Sequence, residues 1–334
     1  MAVRQLINDP AEFVPEALAG LQRAHPDLIR WHEDPAYVVR ATGVTTPKVA
    51  LVSGGGSGHE PLHTGFVGEG MLDAAVPGAV FASPTAFQIK AAISAADRGR
   101  GVLLIVKNYT GDVLNFRIAA ELAADEGVEV ATVLVDDDLA TDGQEEGGPG
   151  RRGTAAVVAV EKICGAAAER GATLAELVEL GTRVAGSART LALALASCTR
   201  PGQSRPSFEL PDDEIEFGVG IHGEHGIGRR PFGPARELVP QLAAPIVEAL
   251  GLGSGDGVLA IVNGLGGTHA LELSVVHREL AAFLDDAGIV LARSLVGSYV
   301  TSLDMRGCSI TLLRADDELT GLWDAPVRTP ALTW

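Results

Sequence analysis

Three glycine-rich segments each present side chains suited to carbonyl and hydroxyl chemistry. SGGGSGHEPLHTG, Ser53 to Gly65, carries His59 and His63. VKNYTGDVLNF carries Lys107 and Asp112. GVGIHGEHGIG, Gly218 to Gly228, carries His222, Glu224 and His225. A neutral imidazole can add to an electrophilic carbonyl or move a proton, a carboxylate can accept a hydroxyl proton, and an ammonium can hold an oxygen in place. Glycines beside such groups let backbone amides approach a small ligand closely.

The more familiar readings of these loops fail on spacing. The phosphate loop G-x-x-x-x-G-K-[ST] needs a lysine and a hydroxyl after its last glycine, but His59 and Glu60 follow Gly58. The dinucleotide pattern starting at Gly54 and Gly56 needs a third glycine where His59 stands. His59-Glu60-Pro61-Leu62-His63 matches H-E-x-x-H letter by letter. That zinc motif puts both histidines on one face of a helix interior, whereas glycines precede His59 and Pro61 marks a first turn, leaving His59 ahead of the helix. No metal site is expected in this loop or among Cys164, Cys198 and Cys308, and the odd, apolar-flanked cysteines argue against a disulfide framework. Each candidate also has a plain structural role open to it: Asp112 as a helix cap, His59 and His222 as buried hydrogen-bonded rings, Lys107 as a solvated charge.

Strands followed by helices must position these loops. Apolar runs at Val49 to Ser53, Gly101 to Val106 and Val128 to Val135 alternate with helical patterns, one starting at Ser83-Pro84 and one running from near Thr110 to Gly127. This is β-α-β order, with ligands expected in the loops beyond the strand ends. DDDLATDGQEEGGPGRRG fits neither template and reads as an exposed connection. Alanine-rich stretches at about Thr154 to Arg170 and Thr173 to Cys198 read as helices, and TRPGQSRPS reads as a boundary. A second α/β half follows, with strands at Glu216 to Ile221, Val258 to Val262, Ile289 to Ser294 and Ser309 to Arg314 and helices near Pro234 to Leu250 and Thr268 to Ala287. The expectation is two α/β domains with mainly parallel or mixed sheets flanked by helices, residues 1–198 and 199–334.

Composition narrows the partners. The 334 residues carry 26 basic and 43 acidic side chains, net charge −17, which disfavours a nucleic-acid backbone or an anionic membrane surface. No apolar run approaches membrane-spanning length, and the start MAVRQLINDP has no apolar signal core, so a cytoplasmic protein acting on small molecules is expected.

Taken together, SGGGSGHEPLHTGFVGEGML, SPTAFQI, VKNYTGDVLNF, GIHGEHGI, VNGLGGT and SLDMRGCSITLL resemble the substrate-binding subunits of dihydroxyacetone kinases over nearly the whole chain. The resemblance implies two α/β domains in a homodimer. It implies that His222 holds the ketone of dihydroxyacetone as a hemiaminal, that His59 bonds the adduct oxygen and acts as acid and base, and that Asp112 takes the proton of the attacking hydroxyl. Lys107 and the backbone of Gly56, Ser57, Gly58 and His59 would orient the substrate. No cofactor is implied on this chain; Mg²⁺ with ATP or ADP would sit on a separate helical nucleotide-binding subunit. Where these subunits commonly continue the His loop as Gly-Glu-Pro-Gly, His225 takes the proline position, and His63 and His225 receive no role. Two other readings stay open: a kinase subunit for a four-carbon ketose such as erythrulose, and a non-catalytic ketose sensor acting as a co-activator.

Overall fold

The protein is described by a computed structural model over residues 4–42, 47–142 and 150–334. In chain order the elements are α1 (Phe13–Ala24), β1 (Ile29–His32), β2 (Tyr37–Arg40), β3 (Ala50–Ser57), β4 (Ala74–Val80), α2 (Ala86–Ala96), β5 (Val102–Lys107), α3 (Thr110–Asp125), β6 (Val130–Val135), α4 (Ala156–Glu169) and α5 (Leu174–Gly186). There follow β7 (Ala188–Ala196), β8 (Glu214–Phe217), β9 (Gly228–Pro231), α6 (Ala235–Ala249), β10 (Gly257–Gly264), α7 (Ala270–Asp286), β11 (Val290–Gly297), β12 (Arg306–Arg314) and α8 (Asp317–Trp323).

The chain divides into two compact units, and neither is a single stretch of sequence. One, the glycine-strand unit, comprises Gln5–Val135, Val157–Ala185 and Gly321–Trp334; the other, the His222 unit, is built from Asp136–Ala156 and Gly186–Thr320. The division expected at residues 198 and 199 would cut off β7, which pairs with β12 and β8 in the sheet of the His222 unit. Hydrogen bonding to its sheet neighbours therefore puts the break before β7.

In the glycine-strand unit the sheet order is β1-β2-β4-β3-β5-β6. The pairs β4/β3, β3/β5 and β5/β6 are parallel, and those of β1/β2 and β2/β4 antiparallel. β5, Val-Leu-Leu-Ile-Val-Lys, is buried at every position, as a central parallel strand covered on both faces should be. Ile89, Ala92, Ile93 and Ala96 line one face of α2 at helical spacing, and Phe116, Ala119 and Ala123 do so on α3; both pack on Val52, Val76, Leu104 and Val106 of the sheet. The alanines let these helices approach closely. α2 starts two residues later than Ser83-Pro84 suggests: Thr85 is its cap, closing a reciprocal capping box with Gln88.

The His222 unit has the sheet order β11-β10-β12-β7-β8-β9, with only β10/β11 parallel among the described strands. Leu238, Leu242 and Ile246 of α6 and Leu273, Leu280 and Leu284 of α7 close the core over Leu191, Leu193, Phe217, Val262, Ile310 and Leu312. The helix expected over Thr173 to Cys198 is instead α5 followed by β7. Beyond Gly186 the Leu-Ala alternation has the two-residue period of a strand, and pairing to both neighbours overrides alanine's helical preference.

The acidic run after Val135 is exposed only in part, Asp142 lying at the surface while Asp137 and Asp138 are buried; residues 143–149 of that expected connection lie outside the described residues. Asp137 is buried, and its carboxylate accepts from the amides of Thr154 (2.6 Å) and Ala156 (3.0 Å) at the start of α4 and from the hydroxyls of Thr154 (2.7 Å) and Thr190. Asp137→Ala leaves those buried donors unmatched. Unfolding in urea should show a loss of about 3 kcal/mol or more, since each orphaned group costs roughly 1–3 kcal/mol.

Candidate functional site

The Gly-rich segment expected to be a loop continues the strand. β3 extends through Gly54, Gly55 and Gly56 to Ser57, every residue buried, with a register shift against β4 between Gly55 and Ser57. A Cβ at Gly55 would lie 2.6 Å from the Lys107 Nζ, and one at Gly56 would lie 2.6 Å from the Ala82 nitrogen and 2.9 Å from Phe81 backbone. The glycines thus make room for a lysine ammonium and for a neighbouring main chain. After Ser57, Gly58 turns at φ 104° and its amide donates to the Glu60 carboxylate at 2.9 and 3.1 Å. Burial raises Glu60 above the ordinary glutamate range.

The helix expected from Pro61 is only a three-residue 3₁₀ turn, Thr64–Phe66, so His59 and His63 do not share a helical face. His59 is buried with its ring stacked on Phe81, centroids 5.2 Å apart. His63 points to a different set of groups. Its Nδ1 lies 2.5 Å from Glu161 Oε1 and 3.1 Å from Ser53 Oγ, and its Nε2 lies 2.8 Å from Lys107 Nζ.

Lys107 ends β5 and is 1% exposed. Its ammonium lies 3.4 Å from the Gly54 carbonyl oxygen and 3.9 Å from Asp112 Oδ2. Burial lowers Lys107 from the usual lysine value, with Asp112 and Glu161 opposing the shift. Asp112 stands in the first turn of α3, and its Oδ1 accepts a short hydrogen bond from the Ser83 hydroxyl. Gly111 admits that hydroxyl, since a Cβ there would lie 2.7 Å from Ser83 Oγ. Burial raises Asp112 above its usual range, and Lys107 and Ser83 pull it back only in part. Burial likewise raises Glu161, with Lys107 and Ser53 pulling it back, and drives His63 well below the ordinary imidazole value, leaving a neutral ring.

The glycine-strand unit therefore brings together His59, Lys107, Asp112 and the Gly56–His59 backbone. Sequence reasoning missed Ser83, Glu161 and the engagement of His63. Ser83 had its signal in Gly111, but Glu161 lies 98 residues from His63 inside an alanine-rich helix and gave none.

His222 belongs to the other unit. It follows β8 in a glycine turn, and its side chain is 23% exposed. Its backbone amide donates to Glu224 Oε2 at 2.7 Å, and its Nδ1 faces Glu224 Oε1 at 4.0 Å. Arg152 holds Glu224 at 3.1 Å and Asp138 at 2.7 Å and donates to the Gly218 carbonyl. Gly220 is required here, since a Cβ would overlap the Glu224 carboxylate. Burial takes Asp138 to about 6 against the pull of Arg152. His225 is largely exposed, stacked on Phe208 at 4.8 Å, with Nδ1 3.3 Å from Glu216. Among the described residues no group of three or more His, Cys, Asp and Glu is set to hold a metal ion. The three cysteines are free and buried, and burial pushes Cys164 and Cys308 to about 12.

The chain resembles known proteins over nearly its whole length. The Dak1 domain family matches residues 19–331. The chain is 47% identical over 356 residues to the PEP-dependent dihydroxyacetone kinase, dihydroxyacetone-binding subunit DhaK, of Escherichia coli K12, covering 99% of each. Of solved structures, the dihydroxyacetone kinase of C. freundii superposes with a TM-score of 0.90 at 36% identity, over 99% of this chain and 60% of that one. The dihydroxyacetone kinase operon co-activator Dha-DhaQ superposes with a TM-score of 0.89 at 32% identity, over 97% and 98%.

A methyl group at position 56 has only rigid backbone to displace. Gly56→Ala should lower the urea unfolding midpoint, at a cost of about 1–3 kcal/mol.

Proposed function

The chain belongs to the Dak1 domain family, and from that premise we propose that it is the dihydroxyacetone-binding subunit of a dihydroxyacetone kinase, in which His222 holds the ketone covalently and Asp112 activates the hydroxyl to be phosphorylated. The reading is supported by near-complete coverage, in both directions, of a dihydroxyacetone-binding subunit. The observation that carries it to an enzyme is the Lys107–Asp112 pair: capture alone needs neither a buried ammonium nor a carboxylate of raised proton affinity 3.9 Å from it. A ketose sensor of the same fold would need only the histidine.

His222 Nδ1 faces Glu224, so Nε2 is the nitrogen that adds to the carbonyl carbon. The N–C bond forms as the C=O π pair moves to oxygen. His59 protonates that oxygen, and the ring's Nδ1 proton leaves towards Glu224, so the adduct is neutral overall. A saturated alcohol offers no electrophilic carbon. Glycerol is thereby refused by bond chemistry, where hydrogen bonding alone would separate two three-carbon polyols poorly. Asp112 then accepts the proton of a terminal hydroxyl as its oxygen attacks the phosphoryl group, and Lys107 and the Gly56–His59 backbone hold the substrate oxygens.

Phosphoryl transfer needs a nucleotide with metal-ion neutralisation of its phosphates. In this reading a separate helical subunit brings it, as Mg²⁺ with ATP or ADP, and the substrate-binding chain works in the cytoplasm as a homodimer. No described helix is long and apolar enough to cross a membrane.

Intact-protein mass spectrometry should show an increment with dihydroxyacetone and none with glycerol, and His222→Ala should abolish it; an increment surviving in that variant would move the adduct elsewhere. Asp112→Asn should keep the increment yet cost about 10²–10⁴ in turnover with the nucleotide subunit, the range for loss of a general base. Asp112 works deprotonated and its proton affinity is raised, so activity should fall with decreasing pH at a midpoint above the free-aspartate value of about 3.9. A profile flat down to that value would contradict the assignment.

A further inference from the structure

Lys107 carries a charge out of water, and the base beside it is due to be neutralised. Once Asp112 has taken the substrate's proton it no longer balances the ammonium 3.9 Å away. The other groups facing Lys107 are the Gly54 carbonyl of β3 and the His63 ring; beyond that ring stands Glu161 of α4, and His59 adds its field to that at His63. An ammonium has donors only, so His63 Nε2 accepts from it and the ring proton sits on Nδ1. That proton is donated to Glu161 Oε1 at 2.5 Å. Ser53 Oγ gives its own hydrogen to the Ile105 carbonyl at 2.7 Å and lies 3.1 Å from Nδ1, on the same side as Glu161. Every member of this chain is buried.

We infer that Glu161, acting through His63, is the second counter-ion of Lys107 and keeps it an ammonium while Asp112 is protonated during phosphoryl transfer. His63 and Glu161 are positioning residues in this account, which rests on the proposed roles of Asp112 and Lys107. Burial drives both groups toward their uncharged forms, and each opposes this in the other: Lys107 draws Glu161 down and Glu161, with Asp112, draws Lys107 up. An uncompensated ammonium in the same place would shed its proton. The imidazole contributes no charge of its own. It carries the interaction across a gap that a direct contact does not bridge.

The chain has four lysines, Lys48, Lys90, Lys107 and Lys162, so lysine side-chain NMR on the full-length protein resolves the question, with the Lys107 signal assigned as the one lost in Lys107→Met. Asp112→Asn mimics the neutralised base, and its Lys107 should remain an ammonium at pH 7. Adding Glu161→Gln should lower the titration midpoint further, the loss of an opposite charge held one imidazole ring away. His63→Gln, whose amide can accept from Lys107 and donate to Glu161, should titrate as wild type, whereas His63→Leu should shift downward as Glu161→Gln does. A double variant titrating like Asp112→Asn alone would overturn the inference, as would equal shifts in the two His63 variants. If the double variant does not fold, the His63 pair decides alone. The same samples are exposed to dihydroxyacetone: absence of an adduct in the wild type would refute the proposed function without touching the lysine titration.

Discussion

A lysine ammonium withdrawn from water is the constraint around which the glycine-strand unit is organised. Removing a charge from solvent costs several kcal/mol unless partners replace the lost hydration. Here the replacement comes from four directions: a strand carbonyl, an aspartate on the following helix, an imidazole, and a glutamate behind it. Gly55 of β3 is a consequence, since a side chain there would occupy the place of the ammonium. So is the early position of Asp112 on α3, with Gly111 beside it admitting the Ser83 hydroxyl. Burial alone would discharge both Lys107 and Asp112; their proximity opposes this, and the result is a carboxylate of greater basicity than a solvated one.

In the proposed reading the His222 unit answers a different requirement, an imidazole with one nitrogen oriented and the other offered to substrate. Glu224 accepts from the His222 amide and stands 4.0 Å from its Nδ1, Arg152 holds Glu224, and Asp138 holds Arg152. Under the proposed capture, selectivity would come from whether a bond can form, which tolerates some variation in the length of the ketose but none in the oxidation state of its second carbon.

Much of this was legible in the residues, and the failures have physical causes. Lys107 at a strand end and Asp112 in a helix's first turn followed from the apolar run and its polar break, and the structure has them there. β7 was hidden because alanine and leucine favour helices in isolation; only hydrogen bonding to β12 and β8, remote in sequence, makes it a strand. β4 was hidden by Pro77 and Gly78, which interrupt the strand pattern. Arg152 and Asp138 read as parts of an exposed charged connection because a glycine-rich run of mixed charge fits neither the strand nor the helix template and gave no hint that the two pair. His63 was set aside as a loop residue because its partner Glu161 lies in an apolar helix with no polar neighbours of matching period.

Carbon-13 NMR with dihydroxyacetone labelled at its central carbon tests the central claim, capture of the ketone by His222, most directly. With the full-length chain in excess, the account predicts that the signals of the free ketone and its hydrate give way to one protein-bound tetrahedral resonance, split by coupling when the histidines carry nitrogen-15. A bound signal that stays in the carbonyl region, or a tetrahedral one without nitrogen coupling, would contradict it.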